Sequence, residues 1–170
     1  RGRSLTTNTG TNYGVLGSAG NGDTNYAVYA DGNLAYTGTL TNLSDRKFKA
    51  NIATMNKSLE AILKLKPSTY TIKASYQKSM NMSSTPQFGF IAQELQAVFP
   101  DLVSENVHPS ETKDAAPITY LGVNYIGLIP ILTKGIQEQQ TQIETLNEKV
   151  ERQEVTIATL IERIEALENR

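Results

Sequence analysis

Apolar residues recur every third and fourth position through the last forty residues of the chain. With Ile129 at heptad position a, the a positions carry Ile129, Ile136, Ile143, Val150, Ile157 and Ile164, and the d positions Leu132, Gln139, Leu146, Gln153, Leu160 and Leu167. This register predicts a parallel coiled coil over 129–170, a rod of roughly 60 Å at about 1.5 Å per residue. The other reading of the pattern is one amphipathic helix folded back on the preceding domain.

The middle of the chain shows mixed, shorter periods. Ile52, Met55, Leu59, Ile62 and Leu63 fall at helical spacing and Pro67 ends the run. Ser68–Ala74 reads as a strand and 75–87 as a polar loop. Phe88–Pro100 reads as a short buried strand passing into a helix whose Leu95, Val98 and Phe99 face a core. A strand is expected over 101–103, a polar excursion over 104–116 and a strand over 117–125, anchored by Ile118, Tyr120 and Val123. The alternation implies a small α+β domain over 44–128. Upstream, Thr11-Asn12-Tyr13 and Thr24-Asn25-Tyr26 open two copies of a repeat thirteen residues apart. Asn21-Gly22 and Asp31-Gly32 are hairpin-turn dipeptides, and Tyr26, Val28 and Ala30 alternate as in a strand, so 1–43 reads as the end of a β stalk.

Composition removes several classes of function. There is no Cys and a single His, which excludes disulfide frameworks, thiolate chemistry and multi-histidine metal sites. We therefore expect no metal and no cofactor, and read His108 as a solvated loop residue. A net charge of -1 argues against nucleic acid as a partner. No apolar run approaches the roughly 18 residues of a membrane span, and Arg1-Gly2-Arg3 opens no signal peptide. The glycines at 17, 20 and 22 lack the Gly-Lys-Ser/Thr of a phosphate loop. The absent initiator Met suggests a fragment of a longer protein.

At the joint between leader and middle, Leu43-Ser44-Asp45-Arg46-Lys47-Phe48-Lys49 places a serine five residues before a lysine. A serine hydroxyl becomes a nucleophile when a neighbouring neutral amine takes its proton. Lysine amines are protonated at neutral pH unless burial or nearby positive charge favours the neutral form, and desolvation at a subunit interface is the expected device. Residues five apart point about 140° apart on a regular helix. Either Ser44 precedes the helix in a turn, or the lysine of a neighbouring chain serves it. Arg46 and Lys47 would supply such positive charge and Asp45, a further supporting candidate, would oppose it; Asn51, Gln93 and Glu94 are candidates to hold the scissile carbonyl or orient the lysine, with capping and hydrogen bonds at the core edge as their alternative role.

Taken together, Ser44–Ile52, Leu65-Lys66-Pro67, Gly89-Phe90-Ile91-Ala92-Gln93-Glu94 with Phe99-Pro100, and Val123-Asn124-Tyr125 resemble the C-terminal intramolecular chaperone domain of phage endosialidase tailspikes and tail fibres, shared with the myelin regulatory factors. The resemblance covers about residues 44–150. It implies a domain that trimerises, assists folding of the upstream fibre and then cuts the bond before its motif serine. Carried over, the catalytic pair is Ser44 and Lys49 and the scissile bond Leu43-Ser44.

Oligomer number follows less directly from the heptads. Ile at a with Leu at d favours two strands, whereas Arg163-Ile164-Glu165-Ala166-Leu167-Glu168 resembles a trimerisation motif. A homotrimer is expected, with Ile136, Ile143, Leu146, Val150, Ile157, Leu160, Ile164 and Leu167 in its core, and with the chain itself and its upstream stalk as partners. Assembly would take place in a host cytoplasm, with the mature part in a virion tail fibre; a bacterial surface protein is the alternative location. The rival functions are a trimerisation module that never cuts and a host-binding adhesin tip.

Overall fold

The computed structural model describes residues 17–22, 25–108 and 116–169. The first copy of the leader repeat therefore lies largely outside the described residues. The elements are a 3-10 turn (Arg46–Phe48), α1 (Ser58–Ile62), β1 (Ser68–Tyr70), α2 (Ala74–Gln77), β2 (Gln87–Gly89), α3 (Ala92–Gln96), a second 3-10 turn (Pro100–Leu102), β3 (Val103–His108), β4 (Ile118–Val123) and α4 (Leu128–Glu168). This is the expected mixed α and β content. None of the described helices is long and apolar enough to cross a membrane.

Two compact units interleave along the sequence. The first comprises 1–44, 68–89 and 105–122; the second comprises 45–67, 90–104 and 123–170. In the first unit β1 and β2 pair antiparallel, with Thr69 opposite Phe88. β3 pairs with β4 in a second two-stranded sheet. The second unit holds the apolar core. Leu95, Leu128 and Ile131 are buried, and Ile62, Leu65, Phe90, Phe99, Leu102, Val103 and Val123 pack around them.

The family-like Val123-Asn124-Tyr125 stretch acts here as a structural joint. Asn124 Oδ1 accepts from Gly127 N–H at 3.0 Å, and Asn124 N–H donates to the Leu102 carbonyl at 2.8 Å. Tyr125 stacks on Phe90 at 6.2 Å, and its hydroxyl accepts from Phe90 N–H at 3.1 Å. These bonds fix the entry of the chain into α4. α1 is seated by the same helix. Its own N-cap, Lys57, has a left-handed φ of 56° and no side-chain cap bond. Glu138 of α4 supplies the missing acceptor, taking Leu59 N–H at 2.8 Å, and Gly135 lets α1 approach closely.

Several expectations require correction. The helix read from Ile52 to Leu63 is confined to Ser58–Ile62, because Asn51 and Lys57 both adopt positive φ and its start is set by Glu138 rather than by the local pattern. The strand expected over 68–74 ends at Tyr70, and α2 begins at Ala74, its last expected residue, and runs into the expected loop. Phe88 is 83% exposed, so β2 is no buried strand, although Leu95 is buried as expected. The strand expected at 101–103 is a 3-10 turn followed by β3, which occupies the first five residues of the expected polar excursion.

His108 is the largest departure. It lies at the end of β3 and is 5% exposed, not a solvated loop residue. The leader covers it. Among the described leader residues no strand forms; the alternation of Tyr26 to Asp31 instead serves side-chain docking within the first unit. The hairpin turns expected at Asn21-Gly22 and Asp31-Gly32 are bends without flanking strands: one residue of each pair has positive φ, Asn21 at 68° and Gly32 at 122°, and Asn25 closes the first on Gly22 through bonds of 2.7 and 3.2 Å.

α4 runs unbroken for 41 residues. Only Leu128, Ile131 and Gly135 are buried in it, and every described residue from Gln139 onward is exposed. The helix is therefore not folded back on its own chain along most of its length. Its a and d residues lie bare, from Ile143 at 43% to Leu167 at 67%.

Candidate functional site

The stretch around Ser44 is built by Asp45. Its backbone is extended (φ −65°, ψ 134°), and its carboxylate accepts Lys47 N–H at 2.9 Å, which caps the turn Arg46–Phe48. The turn closes through Phe48 N–H to the Asp45 carbonyl at 3.2 Å and Lys49 N–H to the Arg46 carbonyl at 3.0 Å. Lys47 folds back on itself, with Nζ 3.6 Å from Asp45 Oδ2 and 4.9 Å from the Phe48 ring centre. Such exposed pairs contribute about 1 kcal/mol or less.

No regular helix joins Ser44 to Lys49: Ser44 precedes the capped turn, and Lys49 leaves it extended at φ −111°, ψ 136°. The chain then reverses at Asn51, whose φ is 52°. Leu43, Ser44, Lys49 and Asn51 are all exposed, Leu43 at 73%. Leu43 and Ser44 end the leading segment of the first unit, and Asp45 begins the second.

Gln93 and Glu94 lie in the first turn of α3. Glu94 Oε1 stands 3.7 Å from Lys66 Nζ, which ties together two of the family-like motifs, Leu65-Lys66-Pro67 and Gly89–Glu94. The structure thus brings Asp45 to Lys47 and Glu94 to Lys66. The expected trimer-core residues Ile136, Ile143, Leu146, Val150, Ile157, Leu160, Ile164 and Leu167 form one exposed stripe on α4. Among the described residues no three of His, Cys, Asp and Glu cluster as a metal site.

A second polar cluster was not foreseen. In the first unit, Tyr26, Tyr29 and Asp31 meet Asn106, His108 and Tyr120. The signal for it was the alternation Ser104, Asn106, His108 on a strand, hidden by the polarity of the run. Here burial, with a hydrogen bond to Tyr29, pushes the Tyr120 phenol up to about 12. A cavity of about 380 Å³ opens beside these residues, also lined by Tyr70, Met80 and Gln87.

With this geometry in view, the chain can be set beside known proteins. Residues 44–104 match the model of the family described as the chaperone of endosialidase. The match bears out the resemblance drawn from the motifs. The chain is also similar to the long tail fibre protein Gp37 of Salmonella phage S16, 28% identical over 121 residues, which is 70% of this chain and 16% of the phage protein. The chain therefore spans less than a fifth of the length of that relative.

Proposed function

We propose that this chain is the C-terminal intramolecular chaperone of a phage tail fibre, which trimerises, assists the folding of the fibre upstream of it, and then releases itself by cutting between Leu43 and Ser44. The observation that carries the reading is the start of the family match at residue 44, the first residue after the proposed cut. In this reading 1–43 is the end of the stalk, 44–128 the chaperone and auto-processing domain, and 129–170 the trimeric coiled coil. The similarity to a long tail fibre protein supports a virion fibre as the destination and the host cytoplasm as the place of assembly.

The chemistry assigns one group to each task. The Ser44 hydroxyl attacks the carbonyl carbon of Leu43 while its proton passes to the neutral Lys49 amine. As the Leu43–Ser44 C–N bond breaks, the lysine ammonium returns that proton to the departing Ser44 nitrogen, which leaves an ester between Leu43 and the Ser44 oxygen. Water hydrolyses the ester to a Leu43 carboxylate and a Ser44 with free amine and hydroxyl. Asn51 and Gln93 carry amide donors suited to the carbonyl oxygen, and Glu94 a carboxylate suited to orienting the lysine. Asp45 shapes the turn between nucleophile and base by its cap. The extended backbone at Asp45 and Lys49 is what supports this use of a spacing of five.

The trimer supplies timing. Packing three α4 stripes desolvates groups near the helix bundle, and a lysine amine held out of water favours its neutral form. Cutting then waits for assembly. Once the chaperone is gone, the fibre is held by a kinetic barrier, since the element that allowed its folding is lost. The test is the full chain beside Ser44→Ala and Lys49→Ala on a denaturing gel. A wild-type fragment beginning at Ser44, with both variants intact, is expected; an intact wild type after trimer formation sinks the proposal.

A further inference from the structure

Resting on that reading of leader and chaperone, we propose that the second leader repeat is a handle: β3 and β4 hold the stalk end by recognising a Tyr-x-x-Tyr-x-Asp sequence through Asn106, His108 and Tyr120. The contacts lie within one compact unit, which joins the leader to 68–89 and 105–122. The Tyr26 hydroxyl is used twice. It donates to Asn106 Oδ1 at 2.9 Å and accepts Val107 N–H at 3.2 Å, so it occupies both a side chain and a backbone donor of β3. Tyr29 stands edge-on to His108, with ring centres 5.8 Å apart at 90°, and to Tyr26 at 5.4 Å. Asp31 Oδ1 lies 3.4 Å from His108 Nε2.

The sequence repeat sets this copy apart from the first. At an offset of thirteen residues Tyr13 corresponds to Tyr26, but Leu16 stands where the second copy has Tyr29, and Ser18 where it has Asp31. The first copy therefore lacks both groups that meet His108. A hydroxyl bridging a strand N–H and an amide, an aromatic edge, and a carboxylate beside an imidazole together form a sequence-selective surface. Of the two copies in this sequence, the second carries all three groups. Recognition of the last repeat would set the register in which the stalk is presented, and would place the Leu43–Ser44 bond a fixed length of chain, twelve residues beyond Asp31, from the point of grip.

The experiment is residue-resolved amide hydrogen exchange on the full chain bearing Ser44→Ala, so that it stays uncut. Val107 N–H is expected to be protected. Tyr26→Phe, which removes one oxygen and no packing volume, should speed its exchange about tenfold, the size of one lost hydrogen bond. Exchanging Tyr29 and Asp31 together for the Leu and Ser of the first repeat should release Val107 as far or further, with the β1 and β2 amides unchanged. Unaltered Val107 exchange in Tyr26→Phe overturns the proposal, as does unprotected Val107 in the parent chain. The two readings fail separately. An intact wild-type chain with a protected Val107 refutes the cut and keeps the handle, whereas a cut chain with an unprotected Val107 refutes the handle alone.

Discussion

The seam between α1 and α4 yields the sharpest stability prediction, at Gly135. This glycine is buried in the interior of a helix, where alanine ordinarily stabilises by about 1 kcal/mol. Yet a Cβ built there collides with Ile62 Cδ1 and lies 3.7 Å from the Leu59 Cα. Ile62 cannot swing away without loss, because it packs against the Leu95, Leu128 and Ile131 core. Overpacking of this kind costs about 1–3 kcal/mol. Gly135→Ala is therefore expected to destabilise by about 1 kcal/mol net, against the sign that helix propensity gives. Ile62→Val deletes the colliding methyl and alone costs about 0.5–1.5 kcal/mol. Combined, the two changes should be non-additive, with Ile62→Val nearly neutral or stabilising in the Gly135→Ala background. Denaturant unfolding of the four chains at one fixed concentration measures the cycle. Additive costs, or a stabilised Gly135→Ala, would refute the close approach of α1 to α4.

Three further outcomes follow from named contacts. Glu138→Ala should cost about 1 kcal/mol of unfolding free energy by stripping the cap from Leu59 N–H, with Glu138→Gln recovering part of it. Ile157→Lys or Leu160→Lys, in the exposed stripe of α4, should turn a trimer into monomer by sedimentation without loss of the β1–β2 pairing; a trimer that persists would move the interface elsewhere. One of the eight tyrosines should form its phenolate only near pH 12, and Tyr29→Phe should bring it earlier. Because the folded value of Tyr120 is raised above 10, its contribution to stability is complete below pH 10 and is lost as pH rises through 12.

What the sequence made legible was long-range periodicity and motif, and what it hid was tertiary. The heptads of 129–167 predict α4 because a 3.5-residue repeat sustained over six heptads reads as a long helix. Leu95 could be placed in the core because it lies in a short amphipathic segment ended by Pro100. The start of α1 could not be placed, since its cap is Glu138, seventy-nine residues away from Leu59. His108 was misjudged for the same reason. Its surroundings are a polar strand and a leader eighty residues upstream, and no local pattern encodes their meeting. At the candidate site, Ser44 and Lys49 were chosen by motif. The capped turn between them rests on a short local signal, Asp45 before Arg46–Phe48, that no periodicity marks.

The central claim is the cut, and mass spectrometry of the purified full chain tests it most directly. The account predicts two fragments, one ending in a Leu43 carboxylate and one beginning with a free Ser44 amine, both absent from Ser44→Ala and Lys49→Ala. A single intact mass from a wild-type chain that sediments as a trimer would contradict it.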